Sequence, residues 1–227
     1  MEQKKKISVA IDGPSGAGKS TLARAAAKEL GLLYVDTGAI YRTVALYALR
    51  RGAEPKDAAA VAALLPEAGI TMDYDPGGLQ RMRLNGEDVT DQIRTQEVSM
   101  AASAAAAHPA VRAFLLDMQR DMAEKYSVIM DGRDIGTVVL PQADVKIFLT
   151  ASPQERAKRR HAELAAKGNT DSYETVLRDI LERDERDSSR SAAPLQQAED
   201  ALLFDTTDYS LEECVDRLLQ IVREKTI

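Results

Sequence analysis

Gly13 to Ser20 reads GPSGAGKS, which satisfies the phosphate-loop pattern G-x-x-x-x-G-K-[ST] at every fixed position. Its flanks fit as well. Ile7 to Ile11, ISVAI, is a short β-branched run that predicts a buried strand, and Ser20 to Leu30 favours helix, with Gly31 as a natural stop. A strand, a glycine loop and a helix in that order constrain the fold to an α/β class. They also present successive backbone N–H groups, and the positive end of a helix, to an oxyanion. Within the loop Gly13, Pro14, Ser15, Gly16, Ala17 and Gly18 are candidate ATP ligands, with Thr21 just beyond it. Lys19 can reach the β and γ phosphates, and the Ser20 hydroxyl can ligate Mg²⁺.

Further strand signals follow in LLYVD, SVIMD (Ser127 to Asp131), VKIFLT (Val145 to Thr150) and ALLFD (Ala201 to Asp205). Helical segments separate most of them, one from about Ala39 to Arg51, so a parallel sheet covered on both faces is expected. SPQE and SLEE read as capping boxes, with Ser152 and Ser210 as N-caps and Glu155 and Glu213 three residues on. The last helix carries Leu211, Val215, Leu218 and Val222 on one stripe beside Cys214, which reads as inert core. Two regions break the alternation. Gly69 to Val89, with turns at Pro76-Gly77-Gly78 and Asn85-Gly86, predicts a small antiparallel meander. Ser152 to Arg190 is nearly all helical and highly charged, broken at Gly168-Asn169.

The chain has 227 residues, 44% apolar and 29% charged, with a formal net charge of −6. That acidity argues against broad nucleic-acid binding but permits a concentrated basic pocket for a small anion. A single cysteine rules out an internal disulfide and suits a reducing compartment. The apolar run near the N-terminus is too short for a signal segment, and no stretch approaches a membrane span, so a cytoplasmic protein with no membrane partner is expected. With no exposed apolar heptad evident, a monomer is expected.

A phosphate loop alone does not separate a kinase from a motor or a switch. The guanine-reading N-K-x-D pattern is absent. Arg42 in DTGAIYR and Arg133 in DGRDIG both follow strands, and such loops share the C-terminal edge of a parallel sheet, where ligands bind. Asp131, at the end of its strand, reads equally as a carboxylate beside a metal, acting through water, or as a loop cap before Gly132. Neither His108 nor His161 has a partner pattern that suggests catalysis. In LERDERDSSR, Leu181 to Arg190, Arg183, Asp187 and Arg190 fall on one helical stripe. The same spacing serves intrahelical ion pairs, so spacing alone does not decide.

IDGPSGAGKS, VDTGAIYR, IRTQEV, DGRDIGTVV, VKIFLTAS, RAKRR and ERDERDSSR occur in the order and spacing of bacterial-type cytidylate kinases, and the chain resembles that family from about Ile7 to Thr207. The resemblance implies a three-layer P-loop fold with a five-stranded parallel sheet, formed by about residues 1–36, 108–152 and 192–227. It further implies a monophosphate-binding insert at about 37–107 and a helical lid at about 153–191. The implied activity is ATP-dependent phosphorylation of CMP and dCMP with Mg²⁺ as cofactor. A kinase for another acceptor such as UMP, or a nucleotide-dependent assembly or switch protein, is the alternative. Carried over, Thr37, Tyr41 and Arg42 hold the acceptor, with Arg42 on its phosphate. Ser103, Arg112 and Asp134 read the pyrimidine, Arg183 and Asp187 contact the sugar–phosphate region, and Arg133 and Arg190 line the same site. The implied catalytic set is Lys19, Arg133, Arg183 and Arg190. Arg156 and Arg160, four apart on one helix, reach ATP as the lid closes.

Overall fold

The computed structural model describes residues 6–166 and 168–226. β1 (Ser8–Asp12) runs into the glycine loop and α1 (Lys19–Leu30), which ends at Gly31 in a left-handed conformation. β2 (Leu33–Asp36) leads directly into α2 (Thr37–Arg50). That helix starts two residues earlier than its sequence suggests because the Asp36 carboxylate caps it, accepting from Ala39 N. α3 (Ala58–Leu64) precedes the meander β3 (Ile70–Tyr74), β4 (Gln80–Leu84) and β5 (Glu87–Asp88). The meander is antiparallel, as its turn residues predict, and Asn85 and Gly86 both take positive φ.

α4 (Gln96–Ala105) and α5 (Pro109–Lys125) follow, with the break ahead of Pro109. Then come β6 (Val128–Gly132), a π-type turn over Ile135–Val139, β7 (Val145–Thr150), the charged pair α6 (Pro153–Ala166) and α7 (Tyr173–Ser189), β8 (Leu202–Asp205) and α8 (Leu211–Thr226). The main sheet has the order β2-β6-β1-β7-β8, every pair parallel. β1 is therefore central, and the loops after β1, β2 and β6 open at one edge.

Apolar packing falls into distinct clusters. α1 and α8 cover one sheet face around Ile11, Ile147 and Leu218, and Val35, Met130 and Ile135 lie in another cluster. α2, α4, α5 and the meander pack around Ile40, Met82 and Ile93. α6 and α7 share a small cluster of Ala157, Val176 and Ile180. Cys214 is buried, and burial pushes its thiol pKa up, as inert core requires.

Three local expectations change. Leu211 is 58% exposed, so the α8 stripe begins with Cys214 and runs through Leu218, Leu219 and Val222. At Ser152 only half the capping box forms. Ser152 Oγ accepts from Glu155 N at 3.2 Å, but Ser152 N donates to Thr207 Oγ1 and Glu155 turns to Arg159. Arg190 lies beyond the end of α7 in extended conformation, outside the helical stripe shared by Arg183 and Asp187.

Candidate active site

Gly13 leaves β1 so close to β7 that a Cβ there would lie 1.9 Å from the Leu149 carbonyl oxygen, at a φ of +149°. No side chain could occupy that position without moving the sheet. Gly18, also at positive φ, caps α1 without any side-chain hydrogen bond, which leaves first-turn N–H groups for an anion. Lys19 is buried and donates to Pro14 O at 2.7 Å. Burial and the neighbouring Arg133 push its pKa well down, while Asp131 opposes them. Ser15 to Thr21 line the adjoining cavity; Gly13 and Pro14 shape the loop from behind.

Asp131, at the C-terminal end of β6, is buried. It accepts from Ser20 Oγ at 2.7 Å and from Tyr34 OH at 2.9 Å. Its carboxylate faces Ser20 instead of capping its own loop, which favours the metal-side reading. Burial, with Asp36 nearby, raises its pKa. Thr37 donates its hydroxyl to the Asp131 carbonyl at 2.7 Å, so it ties α2 to β6.

Across the cavity, three buried carboxylates each serve two arginines. Asp36 pairs with Arg42 at 3.0 Å and with Arg94 at 2.7 Å. Burial alone would raise its pKa, but the two guanidinium groups outweigh burial and hold it below the usual range. Asp187 accepts from Arg133 at 2.8 Å and lies 3.9 Å from Arg183, with Ser103 Oγ donating at 3.4 Å. Here too burial is overcome by the arginines, and the carboxyl pKa falls. Asp134 is hydrogen-bonded to Arg112 and lies 3.9 Å from Arg190. Arg112 stacks over the Tyr41 ring, 5.5 Å from its centroid.

These pairings do not exhaust the arginines. Arg42 Nε, Arg183 Nε and Arg190 Nη2 are buried with no hydrogen-bond partner among the described residues. Burial and the nearby Arg133 lower the Arg183 pKa to about 10, so the group is still charged at neutral pH. A buried, charged donor without an acceptor is costly unless an anion arrives to meet it.

One cavity of about 690 Å³ joins the glycine loop to this cluster. Eight arginines and Lys19 line it against six carboxylates, so its wall is basic in an acidic protein. On its far side lie Arg159, Arg160, Thr206 and Tyr209. Arg160, 36% exposed at its side chain, pairs with Glu163. Arg156 behaves differently. It is buried and donates to Ala151 O at 2.8 Å and Ser15 O at 3.1 Å, and it pairs with Asp184 at 2.7 Å. It clasps α6 to the phosphate loop and to α7 and is not a free arm.

Four residues absent from the sequence reading shape the site: Asp12, Asp36, Arg94 and Arg159. Arg94 sits within IRTQEV, but its partner Asp36 is 58 residues away and no spacing rule connects them. Arg159 donates to Thr206 O at 2.8 Å, a contact equally invisible in the sequence. Gln80 was also silent. Its amide brackets the Asp36 backbone, accepting from N at 2.7 Å and donating to O at 3.2 Å, and so ties the meander to the site.

A loop shaped for a nucleotide's phosphates, facing arginines with N–H groups to spare, marks the P-loop kinases. The family model for cytidylate kinase matches residues 9–224, and the chain belongs to that family. Cytidylate kinase of Bacillus licheniformis is 48% identical over 221 residues, covering 97% of this chain and 98% of the relative. That of Geobacillus sp. (strain WCH70) is 50% identical over 219 residues, covering 96% and 97%. Among solved structures, an uncharacterized protein from Eubacterium ventriosum aligns with a TM-score of 0.51 at 15% identity, over 97% of this chain and 99% of that one. That likeness concerns the fold alone.

Proposed function

We propose that the chain transfers the γ-phosphoryl group of ATP to CMP and dCMP by direct in-line displacement, forming CDP and dCDP for pyrimidine nucleotide metabolism. The observation that carries this reading is the shared cavity, in which the glycine loop faces guanidinium groups with buried, unused donor nitrogens. ATP lies with its phosphates on the loop N–H groups and Lys19. CMP lies with its phosphate among Arg42, Arg133 and Arg183, and Arg190 and Asp187 close on its sugar side.

The acceptor phosphate oxygen is ionised at neutral pH, so no general base is needed. His108 and His161 both lie off the cavity wall, His108 bonded to Pro55 O and His161 edge-on to Tyr173. Catalysis then reduces to alignment and charge neutralisation by Lys19, Arg133, Arg183 and Arg190. The Ser20 hydroxyl and the Asp131 carboxylate are hard oxygen donors side by side, a set that fits Mg²⁺. Bound there, the ion supplies charge neutralisation at the β and γ phosphate oxygens.

Asp134 accepts from the cytosine N4 amino group and repels the uracil O4, while Arg112 donates to N3 or O2 and Ser103 completes the contact. A carboxylate has about four lone-pair sites, so Asp134 can serve the base while it holds Arg112. Residues about 37–107 form the monophosphate-binding insert and about 153–191 the lid, within a core of about 1–36, 108–152 and 192–227. Water is the competing acceptor, and lid closure removes it before transfer. Arg160 then reaches ATP, while Arg156 holds the phosphate loop from behind through Ser15. No helix among the described residues is long and apolar enough to cross a membrane. We place the protein in the cytoplasm as a monomer whose partners are small nucleotides, with no nucleic-acid partner.

ADP formation measured with CMP, dCMP, UMP, AMP and GMP tests the reading. CMP and dCMP should be best, UMP poorer, and AMP and GMP nearly inactive, with Asp134→Ala narrowing the gap between CMP and UMP. UMP or AMP as the best acceptor would overturn the base assignment.

A further inference from the structure

Asp12 is the last residue of the central strand, directly ahead of the phosphate loop. Its backbone is fixed from both sides, paired in register with Gly132 on β6 and Phe148 on β7. Gly13, next in sequence, packs directly against the Leu149 carbonyl. This is among the least movable points in the molecule. The Asp12 carboxylate is 5% exposed and does not line the cavity. It points sideways into the loop after β6 and accepts two hydrogen bonds, Oδ1 from Ile135 N and Oδ2 from Gly136 N, both at 2.7 Å.

Those two N–H groups belong to the residues that immediately follow Asp134. They open the π-type turn Ile135–Val139, in which Val138 N and Val139 N both donate to Asp134 O. Single π turns are rare and recur at functional sites. Gly136 is part of the same construction. A Cβ there would lie 3.2 Å from Lys146 Cδ and 3.4 Å from Asp12 Oδ2, so an alanine only touches the clamp and a branched side chain crowds it.

We infer that Asp12 is a positioning residue for acceptor-base selection, holding the Asp134 loop at a fixed distance from the phosphate loop. The inference rests on the CMP reading of the site. Asp12 touches neither nucleotide. It ties the strand end that feeds the ATP cradle to the turn that carries the cytosine-reading carboxylate, so a single rigid residue sets donor and acceptor in register. Asp12→Asn keeps the size but sets an amide NH₂ against a backbone N–H, releasing one of the two bonds.

Steady-state kinetics of Asp12→Asn and Gly136→Val with CMP and UMP, each at saturating ATP, test the proposal. In both variants KM for CMP should rise by about tenfold or more, since small misplacements cost that much. The CMP-over-UMP ratio of kcat/KM should fall by a similar factor, while KM for ATP stays within about twofold. A variant that folds and loses kcat with its CMP-over-UMP ratio intact would show Asp12 to be a structural cap only and overturn the proposal. If Asp12→Asn fails to fold, Gly136→Val decides by the same ratio. A wild-type enzyme with no preference for CMP would remove the underlying reading, and this inference with it. Intact wild-type preference with unchanged variant ratios sinks the inference alone.

Discussion

Arg183 shows why a charged residue in a charge-rich segment is more than surface. It is half-buried beside Arg133, and Asp187 offsets the repulsion between the two guanidinium groups. Removing it leaves Asp187 paired with Arg133, so little folding stability should be lost. On the proposed reading, what disappears is a donor for the transferring phosphate, a loss typically worth about a hundredfold or more in turnover. Arg183→Ala and Arg190→Ala should therefore cut kcat strongly with small shifts in melting temperature, whereas Glu185→Ala, on the exposed face, should change neither. Comparable, small effects from all three would return LERDERDSSR to an ordinary solvated helix face. Asp12 makes a second prediction at this scale. Burial outweighs its two backbone hydrogen bonds and pushes its pKa up to about 6. The folded chain then holds that proton more tightly than the unfolded chain, where an aspartate titrates near about 4. Stability from this group falls as pH rises from about 4 to about 6 and is level above, a change of roughly 3 kcal/mol. Urea melts across that range should show the wild type losing stability relative to Asp12→Asn. A relative stability that stays flat or rises with pH would contradict it.

At the level of elements, local chemistry left clear marks. At Ser210 the capping box forms in both directions, with Ser210 Oγ accepting from Glu213 N at 3.3 Å and Ser210 N donating to Glu213 Oε2 at 2.8 Å. Ser210→Ala should cost about 1 kcal/mol in thermal or denaturant unfolding and leave kinetics unchanged. The strand Val145–Thr150, the meander and the break at Gly168 were all legible because periodicity and turn residues act within a few positions. The misses share one cause. Ser152 looks like Ser210 in sequence, but Thr207, 55 residues away, captures its N–H and leaves Glu155 to Arg159. Helix α7 stops at Ser189 although its charge pattern continues to Arg190, whose side chain is anchored on the Ala193 carbonyl at 2.7 Å. Gln80 and Arg94 act on Asp36 through contacts that no periodic pattern records. The phosphate loop and the family motifs were readable in the sequence; the pairing of Asp36, Asp134 and Asp187 with two arginines each came only from the fold.

Taken whole, the chain has an acidic balance and a basic wall in the cavity described above, an arrangement suited to drawing in small phosphates without binding polyanions broadly. The sheet core, the α2–α5 helices with the meander, and the α6–α7 pair each have their own apolar cluster. Arg156 is the buried tie between the last of these and the phosphate loop. Separate clusters meeting at a polar cavity allow closure around two nucleotides without unpacking any core. That design makes sense only if the second nucleotide is obligatory, because a site that closed on ATP alone would hand the phosphoryl group to water. The most direct test is the stoichiometry of ATP consumption with and without CMP. ADP should form rapidly only when CMP is present, matched one for one by CDP. ADP formation that proceeds equally without CMP, or that leaves CMP unchanged, would contradict phosphotransfer between nucleotides as the work of this site.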